Sequence, residues 1–141
     1  MKKVSFDFDG TLGHQKEIQE YCKQLLLNKD IEVHITTRRY GPENAKLCRE
    51  DQPDCDWWRT QGTANWEEVF ELADELGIER KNIHFCNMKD KLNFFIDNPE
   101  FILHLDDDHI ELDIIKEYNL CDVVGIYVKY EDWKEQCNKL L

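Results

Sequence analysis

The sequence predicts an α/β protein built on a mainly parallel sheet with helices on both faces, and three observations carry that prediction. Short apolar runs alternate with amphipathic segments along the chain. No repeat, low-complexity tract or linker-like stretch interrupts the alternation. At 141 residues, the chain has the length of one domain able to bury a real core, so a single domain over residues 1–141 is expected. Strands alternating with helices are joined by crossovers, and crossovers make neighbouring strands parallel and cover both sheet faces.

The elements follow in order. Residues 3 to 8 read as a strand in which Val4, Phe6 and Phe8 alternate with Ser5, Asp7 and Asp9, and the period of two sets both carboxylates on one side. Ile18, Tyr21, Cys22, Leu25 and Leu26 then recur at helical spacing. A second apolar run, 31 to 35, leads into Thr36 and Thr37. Trp66, Val69, Phe70 and Ala73 form the next helical stripe, opened by Asn65 and Glu68 in the spacing of a capping box. After a strand at 82 to 86, Asp90 is placed to cap a helix starting at Lys91, with Leu92, Phe95 and Ile96 facing the core. A strand at 101 to 105 precedes a second capping-box pair, Asp108 and Glu111, and a stripe of Ile110, Ile114, Ile115 and Tyr118. The run 122 to 128 reads as the last strand, and EDWKEQCNKLL, with Trp133, Cys137 and Leu140, as a closing helix.

Charge bounds the partners. Lys+Arg number 18 against Asp+Glu 30, a formal net charge of −12, with no basic run. Binding to a nucleic-acid duplex rests on phosphate neutralisation by Lys and Arg, so this balance argues against it. A small phosphorylated substrate remains compatible, because a bound cation and a few local bases can reverse the field inside one pocket. No run has the length needed to cross a bilayer, and MKKVSFDFD lacks the apolar centre of a signal peptide; a cytoplasmic location away from membranes is expected. The sequence sets no oligomeric state. Six cysteines occur without a CxxC pair, so reduced thiols are expected and a zinc site has no support. The five histidines lack metal-ligand spacing and read as structural or surface residues.

The chemistry-bearing residues fall at strand ends, where open α/β sheets bind their ligands. Asp7 and Asp9 end the first predicted strand, Thr36 the second, and Asp106 and Asp107 the fourth. Paired carboxylates need a counter-charge, and Mg2+, with its preference for carboxylate oxygen, is the first candidate. Half a calcium loop is a poorer reading of DxDG, since Gly10 follows the second Asp directly and a strand leads in.

VSFDFDGTL resembles the first motif, DxDGT[LV], of the haloacid dehalogenase (HAD) superfamily. Three further stretches resemble its other motifs in order: IEVHITT at 31 to 37, NMKDK at 87 to 91 and FILHLDDD at 101 to 108. The resemblance thus spans residues 4 to 108. It implies a Rossmann-like three-layer α/β/α sandwich with five strands in the order 5-4-1-2-3. It also implies phosphomonoester hydrolysis in which Asp7 is the nucleophile that forms an aspartyl-phosphate, Asp9 the acid/base, Thr36 a hydroxyl donor to the phosphoryl group, and Lys91 the neutralising cation. Mg2+ would be held by Asp7, the backbone carbonyl of Asp9, and Asp107; Asp106 is the alternative to Asp107, as Lys89 is to Lys91.

The implied substrate is a small phosphorylated metabolite or nucleotide. A phosphatase of oligonucleotide 3' or 5' ends is an alternative, favoured by an open pocket and opposed by the acidic charge. A non-catalytic HAD-like binding module would be expected to have lost Asp7, Asp9 or the lysine, and all are present. Little beyond one helix separates Gly10 from the second strand, and the segment 38 to 82 is too short for a separate cap domain. Gly10, Thr37, Arg38 and Arg39 are therefore candidate substrate contacts, together with Arg59. Trp57 and Trp58 either stack on a base or pack their loop, and Trp66 reads as core.

Overall fold

The computed structural model describes residues 1–45, 64–125 and 132–141. Five strands, β1 (Lys2–Phe6), β2 (Ile31–Thr37), β3 (Ile83–Phe85), β4 (Phe101–Asp106) and β5 (Asp122–Gly125), pair in parallel in the order β3-β2-β1-β4-β5. Read from the other edge, this is the expected order. The direction of strand addition reverses between β1 and β4, which is where an open α/β sheet presents its ligand crevice.

The sheet has two unlike faces, and the difference comes from the period of two. Ser5 is the register partner of both His34 and His104, and Thr36 of His84; paired residues of parallel strands share a face. Val4, Phe6, Val33, Ile35, Leu103 and Leu105 occupy the other face and are almost wholly buried. That apolar face packs with α1 (Lys16–Leu26), α2 (Trp66–Leu76) and α5 (Trp133–Leu140), which contribute Ile18, Cys22, Val69, Ala73, Trp133 and Cys137 to one core. The polar face lies under α3 (Lys91–Asp97) and α4 (His109–Glu117), with a smaller core of Phe95, Phe101 and Ile115. Phe95 packs on His104 with ring centroids 4.9 Å apart, and Phe94 on His84 at 4.5 Å. Buried polar side chains must find their partners within the protein, so this face is a hydrogen-bonded layer rather than a greasy one.

Local chemistry shifts several expected details. β1 stops at Phe6, and residues Phe8–Leu12 form a wide turn in which Gly10 takes φ 74°; the chain does not stay extended to position 8. Asn65 caps α2 through Glu68 N, and Gly77 at φ 92° ends it. Trp66 is half-buried, edge-on to Phe70. At the second predicted capping box, Asp108 accepts from the N–H groups of both Ile110 and Glu111, but Glu111 turns away to accept from Lys91 N at 3.2 Å. Asp90 holds the cap position of α3 without a side-chain bond, and Glu111 serves that helix instead. This turns Glu111, Leu112 and Ile115 inward, so Ile110 is 72% exposed and Tyr118 also faces solvent, contrary to the predicted stripe. Ile96 is likewise exposed, and Phe94 packs in its stead.

Cys22, Cys86, Cys121 and Cys137 are free thiols. Burial pushes Cys86 up to about 11 and the other three to about 12, so they act as small hydrophobes. Among the described residues no helix is long and apolar enough to cross a membrane. Cys48, Cys55, Trp57, Trp58, Arg59 and positions 126–128 of the predicted last strand lie outside the described residues.

The His34–His84 pair makes stability depend on pH. His34 Nδ1 lies 2.8 Å from His84 Nε2, and burial, followed by the neighbouring His34 and Lys3, pushes His84 down to about 4. An unfolded histidine protonates near pH 6.5, so between pH 6.5 and about 4 the unfolded chain binds the extra proton. Stability is full above that window and falls as the pH drops through it. Partial solvent access holds the loss to about 2 kcal/mol. Urea unfolding of the protein and of His84→Gln at pH 7 and pH 4.5 checks this; the variant should lose less stability between the two, and equal losses would contradict the account.

Candidate active site

Lys91 is the first residue of α3 and reaches over the carboxyl ends of the central strands. Its Nζ donates to Asp7 Oδ1 and to Asp106 Oδ2, both at 2.6 Å. Lys91 is 2% exposed, Asp7 5% and Asp106 0%, so three charges share one nearly dry volume. Lys91, not Lys89, meets the carboxylates; Lys89 is exposed. Burial works against the Lys91 ammonium, but Asp7 and Asp106 outweigh it and hold the group above its ordinary range. Asp106 is the firmer anion: burial opposes its charge, but the His104 ring and Lys91 overcome it and draw its carboxyl well below the usual range. Asp7 shares the same lysine without the imidazole, and burial leaves it well above the usual range despite Lys91.

Asp107, one residue past β4, is exposed and lightly bonded. The Thr11 hydroxyl bridges it to Asp7, at 3.2 Å from Asp107 Oδ1 and 3.1 Å from Asp7 Oδ2. Carboxylate oxygens of Asp7, Asp106 and Asp107 lie within 4.8 Å of one another, a donor set of hard oxygens that suits Mg2+. Asp106 accepts from Lys91, His104 and Asp108 N, whereas Asp7 accepts from Lys91 and Thr11 and Asp107 from Thr11, so Asp107 and Asp7 keep more free lone pairs than Asp106. Gly10 closes the site: a Cβ there would stand 2.1 Å from Asp107 Oδ2, and its positive φ suits only glycine well.

Asp7 and Asp9 part company at the turn. Asp9 is exposed, and Arg39 Nε and Nη2 grip its two oxygens at 2.9 and 2.6 Å. Arg39 is itself 5% exposed. Its Nη1 is committed to Asn65 O and Glu68 Oε2, and its guanidinium stacks on Phe8 at 4.7 Å. Arg39, expected among the substrate contacts, makes four side-chain hydrogen bonds within the protein. Arg38 reaches Met88 O and lies 3.6 Å from Glu111. Thr37 is buried and accepts from Arg39 N.

Thr36 is fully buried, with Oγ1 2.7 Å from Ser5 Oγ. Ser5 Oγ lies 3.0 Å from His104 Nδ1, and His104 Nε2 lies 2.9 Å from Asp106 Oδ2. A continuous hydrogen-bonded row thus links Thr36 to the Lys91 cluster across three strands. Burial pushes the His104 ring down against the pull of Asp106. Ser5, Thr11, His104 and Glu111 escaped the sequence reading as site residues. One signal was available: Ser5/Asp7, His34/Thr36 and His104/Asp106 each repeat a polar pair at spacing two inside apolar strands, which places each pair on one face. Thr11 and Glu111 carried no such signal.

The fold and site together define an α/β protein whose buried carboxylate–lysine cluster sits at the carboxyl edge of its central parallel strands. No protein-family profile and no curated protein sequence matches the chain. Among solved structures it is similar to one described as "putative 3-deoxy-D-manno-octulosonate 8-phosphate phosphatase from Vibrio cholerae", with a TM-score of 0.51 and 17% identity over 100% of this chain and 83% of that one. The likeness is one of fold.

The cluster predicts the effect of removing its cation. Lys91→Met leaves Asp7 and Asp106 as neighbouring buried carboxylates and should cost about 3–5 kcal/mol of stability. The deficit should shrink as the pH falls from 7 toward 5, where one carboxyl takes a proton. Thermal melts across that range check it; a deficit that stays constant with pH would mean the lysine acts by packing alone.

Proposed function

We propose that this chain is a Mg2+-dependent phosphomonoester hydrolase that works through an aspartyl-phosphate on Asp7. The observation that carries the reading is the lysine-held carboxylate at the end of β1, beside a second group of carboxylate oxygens at the end of β4. Phosphoryl transfer needs an oriented nucleophile and positive charge over the equatorial oxygens. Asp7 supplies the nucleophile, with Oδ1 held by Lys91 and Oδ2 by Thr11. Lys91 neutralises charge that the phosphoryl group brings next to Asp7 and Asp106. Asp9, placed at the exposed turn, moves the proton: it protonates the leaving alcohol and then takes a proton from the attacking water.

Mg2+ would be held by Asp7, Asp107 and the backbone carbonyl of Asp9, where it supplies charge stabilisation to the phosphoryl oxygens. The acidic surface and the absence of a basic run favour a small phosphorylated metabolite or nucleotide over a nucleic-acid end. The described substrate of the Vibrio cholerae protein, a small phosphorylated compound, falls in the same class.

Turnover of an aryl phosphate should require Mg2+ and should vanish in Asp7→Asn, which keeps shape but forms no acyl-phosphate. Phosphate release assays on both proteins check this, and substantial activity in the variant would remove Asp7 from its role. The metal site has its own test. Gly10→Ala should push Asp107 aside and weaken Mg2+ affinity at least tenfold by calorimetry; unchanged affinity would place the cation elsewhere.

A further inference from the structure

The reaction just described leaves the Arg39 clamp beside the site without a role. Its geometry is that of a fork built around one target. Nε and Nη2 meet the two oxygens of Asp9, and Nη1 is tied back to Asn65 O and Glu68 Oε2 at the start of α2. Phe8 supports the guanidinium plane from below at 4.7 Å. Asp9 is exposed and sits in a turn whose next residue is glycine, and among the described residues its carboxylate is bonded by Arg39. Arg39, by contrast, is buried and anchored at its rear. A planar bidentate contact fixes direction as well as distance, which a lysine at the same place would not do.

We propose that Arg39 is the positioning residue of the acid/base: it sets where the Asp9 carboxylate stands, and Glu68 with the carbonyl of Asn65 sets where Arg39 stands. This rests on the phosphatase reading above and adds to it the residue on which general acid catalysis depends. Among the described residues Arg39 bonds neither Asp7 nor Lys91, so the bond that joins it to the reacting groups is the one to Asp9. It follows that Arg39 matters where Asp9 matters. A poor alkoxide leaving group needs a proton delivered at the right place, and an aryloxide departs without one.

The experiment compares wild type, Arg39→Lys, Asp9→Asn and the double variant by single-turnover phosphorylation with an alkyl phosphate and an aryl phosphate. General acid catalysis contributes about 10² to 10⁴ in rate. Arg39→Lys, which keeps the charge and loses the fork, should slow the alkyl reaction by about tenfold to a hundredfold and the aryl reaction by less than about threefold. In the Asp9→Asn background the same change should add no further loss. Glu68→Gln loosens only the rear anchor, and should give the same skew at smaller size; it keeps the inference testable if Arg39→Lys fails to fold. Equal losses on the two substrates, or losses that multiply with those of Asp9→Asn, would show that Arg39 merely supports the fold and would overturn the inference while leaving the phosphatase reading intact. A wild-type protein inactive on both phosphates would overturn that reading and this inference with it.

Discussion

Everything at the carboxyl edge of the sheet depends on one ammonium group placed between two buried carboxylates. Lys91 Nζ stands 2.6 Å from both Asp7 and Asp106, in a volume where unpaired charge is expensive. Such a cluster is weak evidence for added stability, because the desolvation of each member offsets much of the attraction. Its consequence is positional. Once the lysine is fixed, the ends of β1 and β4 and the start of α3 are fixed to one another, and Asp7 presents its remaining oxygen beside Thr11 and Asp107.

The sheet is built to support that arrangement. Its apolar face packs with three helices in the ordinary way, while the opposite face carries Ser5, His34, His84, His104 and Thr36 under α3 and α4. The row from Thr36 through Ser5 and His104 to Asp106 satisfies buried groups that would otherwise cost stability. Glu111 performs the same service for α3: it accepts the N–H of Lys91 and so holds the helix start that delivers the lysine. The hydrogen-bonded row from Thr36 to Asp106 favours one geometry, which is what a site of fixed charges requires.

Much of this was legible in the sequence. The alternation of apolar runs with helical stripes pointed to the α/β class, and the strand order that the sheet displays was what the family resemblance implied. Asp7 and Asp106 were readable at strand ends because the apolar runs of β1 and β4 stop there. What was not readable came from side chains choosing partners far away in sequence. Glu111 bonds Lys91, twenty residues earlier, and so rotates α4 away from the stripe of Ile110, Ile114 and Tyr118. Arg39 looked like a free base in a TTRR run, yet Asp9, Glu68 and Asn65 converge on it from other segments. Asp7 and Asp9 looked equivalent along an extended strand, and the Phe8–Leu12 turn separates their fates.

The central claim is that Asp7 becomes covalently phosphorylated, and trapping that bond tests it most directly. An acyl-phosphate is reduced by borohydride to the alcohol, which converts an aspartate into homoserine, whereas a free carboxylate is untouched. Rapid quenching during turnover of an aryl phosphate with Mg2+, followed by reduction and peptide mass mapping, should place homoserine at position 7. Steady turnover with no reduced residue, or with the modification at Asp9, Asp106 or Asp107 instead, would contradict the account.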